Sequence, residues 1–214
     1  FKIETLLEYR PHEKRDKNDF SETGALNAIA NVEVNHLINE DIMNLDIERI
    51  AKLCSKSNYT NATFSIQCDE FSNVKAKLLK DSALDDGTSS LDMVIDAINI
   101  VSKFNFPTVL VENVPNFFTS DAGKILMARL NRLGYKTYWD KFDARDYGGL
   151  TSRVRGYLFA TMLPGNFEMP KPTNKNETPI WELLNFDERI ASGELRDITH
   201  TSSLQDGLKT GRAR

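Results

Sequence analysis

The segment Thr108-Val109-Leu110-Val111-Glu112-Asn113 is the most informative part of this chain about its fold. Its β-branched and aliphatic residues follow one another without polar alternation, which is typical of a parallel strand that is buried on both faces. Upstream, apolar residues recur at helical spacing, from Leu91 through Val94 and Ile98 to Val101. A helix that leads into a fully apolar strand predicts one unit of an α/β domain.

Strand and helix patterns alternate on both sides of this unit. Strands are predicted at residues 2–8, 37–42 and 62–66. Asp46 is expected to cap a helix, and a further helix near residues 124–133 is expected to end at Gly134. This alternation predicts an α/β fold with a mainly parallel, doubly wound sheet, which binds its ligands outside the carboxyl ends of its strands. Four chemically active side chains fall at such predicted strand ends, namely Glu8, Asp41, Cys68 and Glu112.

The chain is predicted to divide near residue 163. A last strand pair is predicted between Arg155 and Met162, and beyond it prolines and asparagines replace the apolar periodicity, as in a linker. We therefore expect a core domain in residues 1–163 and an irregular C-terminal extension in residues 164–214.

Composition excludes several classes of protein. The chain has 27 Lys and Arg residues against 31 Asp and Glu residues, and this formal net charge of -4 argues against a protein that coats nucleic acid non-specifically. The two cysteines, Cys54 and Cys68, are too few for a disulfide scaffold or a zinc cluster, and we expect no metal. No apolar run reaches the roughly 20 residues of a membrane helix, so we expect a soluble intracellular protein.

Cys68 is a candidate nucleophile. It follows a predicted strand and has polar neighbours, whereas Cys54 lies on the apolar side of a predicted helix. A reactive thiolate needs an exposed position at the end of an element. Taken alone, the residue types around Cys68 fit a structural or surface cysteine better than a nucleophile.

Glu112 and two arginines are further candidates. Burial at the end of an apolar strand favours the protonated carboxyl that a general acid needs, although a helix cap or a loop acid is the simpler interpretation of Glu112. Arg153 and Arg155 stand two apart on a predicted strand, so we expect both to point the same way and to bind a phosphate or a base oxygen. An exposed strand face is the alternative.

The order of these segments resembles the cytosine carbon-5 DNA methyltransferases. That family carries Pro-Cys-Gln followed by Phe-Ser, then Glu-Asn-Val, then an Asp-Tyr-Gly turn and Gln-x-Arg-x-Arg. The corresponding segments here are residues 64–72, 111–114, 146–148 and 151–155. Each motif is weak alone, but the ordered set is specific, and the resemblance covers approximately residues 6–163.

The resemblance implies a fold of the S-adenosylmethionine-dependent methyltransferase type and a role for each matched residue. Cys68 would add to carbon 6 of a flipped cytosine, and Glu112 would act on ring nitrogen 3. Arg155 would fix the base oxygen and Glu112, and Arg153 would position the flipped nucleotide or its phosphate, or the two roles are exchanged. The residues expected to contact the substrate are Asn113, Ser72 and Thr151. The residues expected on the S-adenosylmethionine side are Glu8 at the ribose, Asp41 near the adenine, and Gln67.

Three positions depart from the family pattern. Gln67 replaces the proline before the nucleophile, Asp69 replaces the glutamine after it, and Thr151 replaces the first glutamine of the arginine motif. The family's glycine-rich cofactor loop and its last cofactor motifs have no counterpart in this chain, which is expected to start near the second strand of the fold. Two alternatives stay open. One is a catalytically silent module that binds DNA or a partner, and the other is an enzyme that methylates cytosine in RNA.

The principal expectation is methyl transfer from S-adenosylmethionine to carbon 5 of cytosine in double-stranded DNA, as in restriction-modification systems. The resemblance implies duplex DNA as partner and no membrane. We expect a monomer, or a chain that is completed by segments outside it.

Overall fold

The computed structural model describes residues 2–8, 29–67, 90–173 and 192. Strands and helices alternate along these residues, so the predicted α/β fold is confirmed. None of the described helices is long and apolar enough to cross a membrane.

Two compact units divide the chain. The first takes in residues 1–143 and 153–171, and the second takes in residues 144–152 and 172–214. Every strand and α-helix named below lies in the first unit.

A four-stranded sheet forms the centre of the first unit. β3 (Asn61–Ser65) pairs in parallel with β4 (Thr108–Asn113). β6 (Val154–Thr161) pairs antiparallel with both β4 and β5 (Lys136–Asp143), so the strand order is β3-β4-β6-β5. β4 is therefore an internal strand, as its unbroken apolar run predicts.

A second, two-stranded sheet pairs β1 (Ile3–Leu7) in parallel with β2 (Val34–Ile38). Helix α1 (Ile47–Leu53) begins where the Asp46 carboxylate accepts a 2.9 Å hydrogen bond from the Arg49 amide, as the sequence predicts. A small core forms between sheet and helix. Its buried members are Ile38, Ile50 and Cys54.

The main core lies between the four-stranded sheet and three helices, α2 (Ser90–Phe104), α3 (Pro115–Thr119) and α4 (Asp121–Arg132). Helix α4 is followed by Gly134, whose φ of 96° is the left-handed conformation that ends many helices. The largest fully buried side chains of this core are Phe117, Phe118, Leu130, Leu158, Val94, Val109 and Val111.

Three boundaries differ from the sequence predictions. The strand predicted at residues 37–42 is Val34–Ile38, because the Asp41 carboxylate accepts a 3.0 Å bond from the Met43 amide and starts a turn of 3-10 helix. The strand pair predicted near the end of the core is the single strand β6. Arg153 precedes β6, so the prediction that Arg153 and Arg155 share one strand is wrong.

Candidate active site

The carboxyl group of Glu112 is held from two sides. Its Oε1 lies 3.0 Å from Nε of Arg155, and its Oε2 accepts a 2.8 Å hydrogen bond from the Ser65 hydroxyl. The Glu112 side chain keeps 26% of its surface exposed. Because a carboxylate offers about four lone-pair sites, one accepted hydrogen bond and one ion pair leave room for a further donor from solvent or from a ligand.

The register of the sheet brings these three residues together. Ser65 lies directly opposite Glu112 across the parallel β3–β4 ladder, and Tyr157 lies opposite Glu112 on β6. Arg155 is two residues before Tyr157, so it emerges on the same face of β6 and nearer the carboxyl end of β4. The site of Glu112 is therefore built on three paired strands.

Asn113 points away from Glu112, into the core, with 2% of its surface exposed. Its Nδ2 donates a 3.1 Å hydrogen bond to the Ile66 carbonyl, and its Oδ1 accepts a 2.8 Å bond from the Val114 amide. Asn113 thus ties the end of β4 to the segment that follows β3. That segment leads to Cys68.

Cys68 and Ser72 lie outside the described residues. Gln67 is described and is exposed to solvent just beyond the Ile66 carbonyl that Asn113 binds. Asn113 thus positions the backbone at Ile66, which lies two residues before the predicted nucleophile Cys68.

The remaining residues of the arginine motif lie in different environments. Arg153 is exposed, and its amide donates a 2.9 Å bond to Oδ1 of Asp143. Thr151 is exposed and belongs to the second unit. In that unit the predicted turn forms at Gly148, which has a φ of 85°.

Two carboxylates follow the adjacent parallel strands β1 and β2. The Glu8 amide donates a 3.0 Å bond to the Ile38 carbonyl, and the Glu8 side chain is exposed. Asp41 is half-buried and uses one oxygen to cap the 3-10 turn. Carboxylates at the carboxyl edge of a parallel pair match the hydroxyl and amino donors of a nucleoside, so this donor set fits the ribose and adenine of S-adenosylmethionine.

The surroundings of Asp41 are acidic. Burial, the largest cause, raises the pKa of Asp96 above its ordinary value, and the charges of Asp92 and Asp41 raise it further against a lowering hydrogen bond with Asn99. Within the described ranges, no group of three or more His, Cys, Asp or Glu side chains is arranged to hold a metal ion.

Sequence reasoning missed two residues of this site. Ser65 is the hydroxyl partner of Glu112, and the signal for it was the alternation of polar Asn61, Thr63 and Ser65 on the exposed face of β3. Gly156 lies opposite Asn113 in the β4–β6 ladder, and a Cβ there would overlap the ring of Phe118. No local pattern predicts the need for glycine at position 156, because the ring that it accommodates belongs to another element.

Comparison with known proteins identifies the family of this chain. The chain matches the model of the C-5 cytosine-specific DNA methylase family over residues 19–210. It is 32% identical over 99 residues to the type II methyltransferase M.MspI of Moraxella sp., a match that covers 44% of this chain and 23% of that protein. It is 37% identical over 84 residues to the type II methyltransferase M.HaeII of Haemophilus aegyptius, covering 38% of this chain and 26% of that protein. The chain spans about a quarter of the length of these relatives.

A solved methyltransferase has a similar fold. The structure of the Entamoeba histolytica methyltransferase EhMeth superimposes with a TM-score of 0.53 at 17% identity, over 83% of this chain and 58% of that one. The predicted fold of the S-adenosylmethionine-dependent methyltransferases is therefore confirmed. Because the family model matches most residues of this chain, the chain belongs to the C-5 cytosine-specific DNA methylase family.

Proposed function

We propose that the protein containing this chain transfers a methyl group to carbon 5 of cytosine in double-stranded DNA, with Cys68 as nucleophile and Glu112 as its acid partner. One observation carries the proposal. The Glu112 carboxyl group is fixed between Ser65 and Arg155, while its neighbour Asn113 holds the chain that leads to Cys68.

The chemistry needs both residues because cytosine carbon 5 is a weak nucleophile. The Cys68 thiolate forms a bond to carbon 6, and the electrons of the ring double bonds move towards nitrogen 3. Glu112 donates a proton or a hydrogen bond to that nitrogen as its charge develops. One well-placed donor of this kind in a dry site contributes roughly 3 kcal/mol to transition-state stabilisation.

Arg155 lies against Glu112, and we assign it to the oxygen of the base as well. Asn113 acts through the backbone rather than on the substrate, since its amide is buried and both of its ends are bonded. We assign Arg153 to the phosphate of the target nucleotide, and Ser72 and Thr151 to further substrate contacts. A stacked base is out of reach of these residues, so the cytosine must swing out of the duplex at a cost of a few kcal/mol.

The family's donor, S-adenosylmethionine, supplies an electrophilic methyl group when bound. Glu8 would accept hydrogen bonds from the ribose hydroxyls, and the second carboxylate oxygen of Asp41 would accept one from the adenine amino group. Gln67, exposed beside the predicted nucleophile, would line the same side of the site.

The test is a covalent trap with the full-length protein. In duplex DNA that carries 5-fluorocytosine, the fluorine at carbon 5 cannot be removed as the proton normally is, so the elimination that releases the cysteine is blocked. The protein should therefore form a denaturation-resistant adduct in the presence of S-adenosylmethionine. Cys68→Ala should abolish the adduct. Cys54→Ala is the matched control, because Cys54 is buried in the small core and should not be needed.

An adduct that persists in Cys68→Ala would refute the nucleophile. DNA binding without adduct or methyl transfer would instead identify a silent binding module, in line with the substitutions at Gln67, Asp69 and Thr151. Preferential methylation of transfer RNA over duplex DNA in direct competition would change the substrate and leave the catalytic residues as assigned.

A further inference from the structure

We propose that Ser65 is a positioning residue for Glu112 that stabilises the carboxylate as its proton leaves. The inference deepens the proposed function and rests on it. Ser65 donates to Oε2 of Glu112 at 2.8 Å, while Arg155 approaches Oε1 at 3.0 Å. The two oxygens of Glu112 therefore have partners of different chemistry.

The difference decides which oxygen carries the proton. The Arg155 guanidinium is permanently charged and only donates, so a proton on Oε1 would face an N–H group. A serine hydroxyl both donates and accepts, so it tolerates Oε2 in either protonation state. Oε2 is therefore the oxygen that exchanges a proton with the base.

The sulfur lone pair of Cys68 forms the bond to carbon 6, the ring electrons shift to nitrogen 3, and nitrogen 3 takes the proton from Oε2. Glu112 is left as a carboxylate, and the Ser65 hydroxyl donates to the oxygen that has just gained negative charge. This hydrogen bond strengthens along the reaction, so it stabilises the transition state more than bound substrate.

Ser65 can take this role because its side chain lies outside the hydrophobic core. β3 alternates exposed and half-buried residues, and Ser65 lies on the exposed side with Thr63. The Thr63 hydroxyl accepts a 3.0 Å bond from the Asn61 side chain. Thr63 is thus a hydroxyl on the same strand and face with a different partner, which makes it a matched control.

The experiment measures methyl transfer to duplex DNA by the full-length protein. Ser65→Ala should lower kcat about 10- to 100-fold, as expected for loss of one hydrogen bond to a charged group, and should change KM for DNA less than about threefold. Ser65→Thr keeps the hydroxyl and should recover most of the rate. Thr63→Ala should match the wild type.

A double mutant separates this role from a structural one. In a Glu112→Gln background, Ser65→Ala should cost less than about threefold, since Ser65 is proposed to act only through that carboxyl group. An equal loss in both backgrounds, or a normal kcat in Ser65→Ala, would overturn the inference while wild-type transfer upholds the proposed function. No methyl transfer by the wild type would overturn the proposed function, and the inference with it.

Discussion

At the scale of single residues, the two polar residues at the end of β4 have different tasks. The Glu112 side chain points to the partly exposed face of the sheet and contacts Ser65 and Arg155. The Asn113 side chain points into the core and forms hydrogen bonds with backbone groups. The cause is the pleat of the strand, which sends consecutive side chains to opposite faces. Two adjacent residues of one strand therefore lie in different surroundings, with an accessible carboxyl group at Glu112 and a buried amide that joins backbone segments at Asn113.

Glu112→Gln should lower the rate of methyl transfer about 100- to 1000-fold while leaving stability within about 1 kcal/mol. The amide still has an oxygen for Ser65 or Arg155, but it cannot exchange the proton. Single-turnover methyl transfer and thermal unfolding of the same preparation measure the two effects. A large loss of stability would mean that the carboxyl group is structural.

Asn113→Ala should lower the free energy of unfolding by about 2–3 kcal/mol, because it leaves the Ile66 carbonyl and the Val114 amide without their partner. Urea unfolding monitored by circular dichroism gives the value. Asn61→Ala, at an exposed position of β3, should cost less than about 1 kcal/mol. Equal losses in the two variants would contradict the structural role of Asn113.

Tyr135 makes the stability of the folded chain depend on pH in the alkaline range. Its hydroxyl donates a 2.6 Å bond to the Phe106 carbonyl, and burial raises its pKa above the ordinary 10.0. Because the pKa of Tyr135 is higher in the folded state than in the unfolded state, its contribution to the free energy of unfolding is complete below about pH 10. This contribution is lost as the pH rises through the pKa of the folded state. Tyr135→Phe should be less stable at neutral pH and should lose less stability between pH 9 and pH 11, as measured by urea unfolding.

At the scale of elements, β6 and α3 approach closely because residue 156 of β6 is glycine and has no side chain. Gly156 stands against the ring of Phe118, which is 1% exposed and also stacks on Trp139 at a centroid distance of 5.4 Å. The packing of the helix on the sheet beside Arg155 therefore requires glycine at this position.

Gly156→Ala should destabilise the chain by about 1–3 kcal/mol, because the added methyl group overlaps a ring that has no room to move. Phe118→Leu should relieve part of the clash, so the double variant should lose less than the sum of the two single losses. Gly134→Ala is the comparison, since a Cβ there has no atom within 4 Å and only its φ of 96° is strained. Additive losses for Gly156 and Phe118 would show that the ring is not the cause.

At the scale of the whole molecule, the described residues form two cores of unequal size. The core of the four-stranded sheet holds sixteen buried residues, and the core beside β1 and β2 holds three. Because apolar burial is the main source of stability, the two sheets are not equally resistant to opening.

Amide hydrogens of β4 should therefore exchange at least about 100-fold more slowly than those of β1, under conditions where exchange reports opening equilibria. β4 is paired on both sides, with β3 and with β6, whereas β1 pairs with β2. Hydrogen exchange followed by mass spectrometry distinguishes the two strands. Equal protection would mean that the sheets open as one cooperative unit.

Much of the fold could be predicted from local patterns. The apolar run at Val109 and Val111 predicts an internal strand, Asp46 predicts the start of α1, and Gly134 predicts the end of α4. These signals succeed because they depend on neighbours in the chain, through period, capping and allowed backbone angles. The shifted strand before Asp41 shows the limit, since a side-chain cap there competes with continued pairing.

Residue types and their spacing were enough to predict the class of fold and the order of the motifs around Glu112, because both depend on local patterns along the chain. The three-dimensional structure was needed to show that Ser65 faces Glu112, that Arg155 but not Arg153 lies in the neighbouring strand, and that Gly156 leaves room for Phe118. These are distances between residues far apart in the chain, and they depend on strand register and helix packing, which no local pattern encodes.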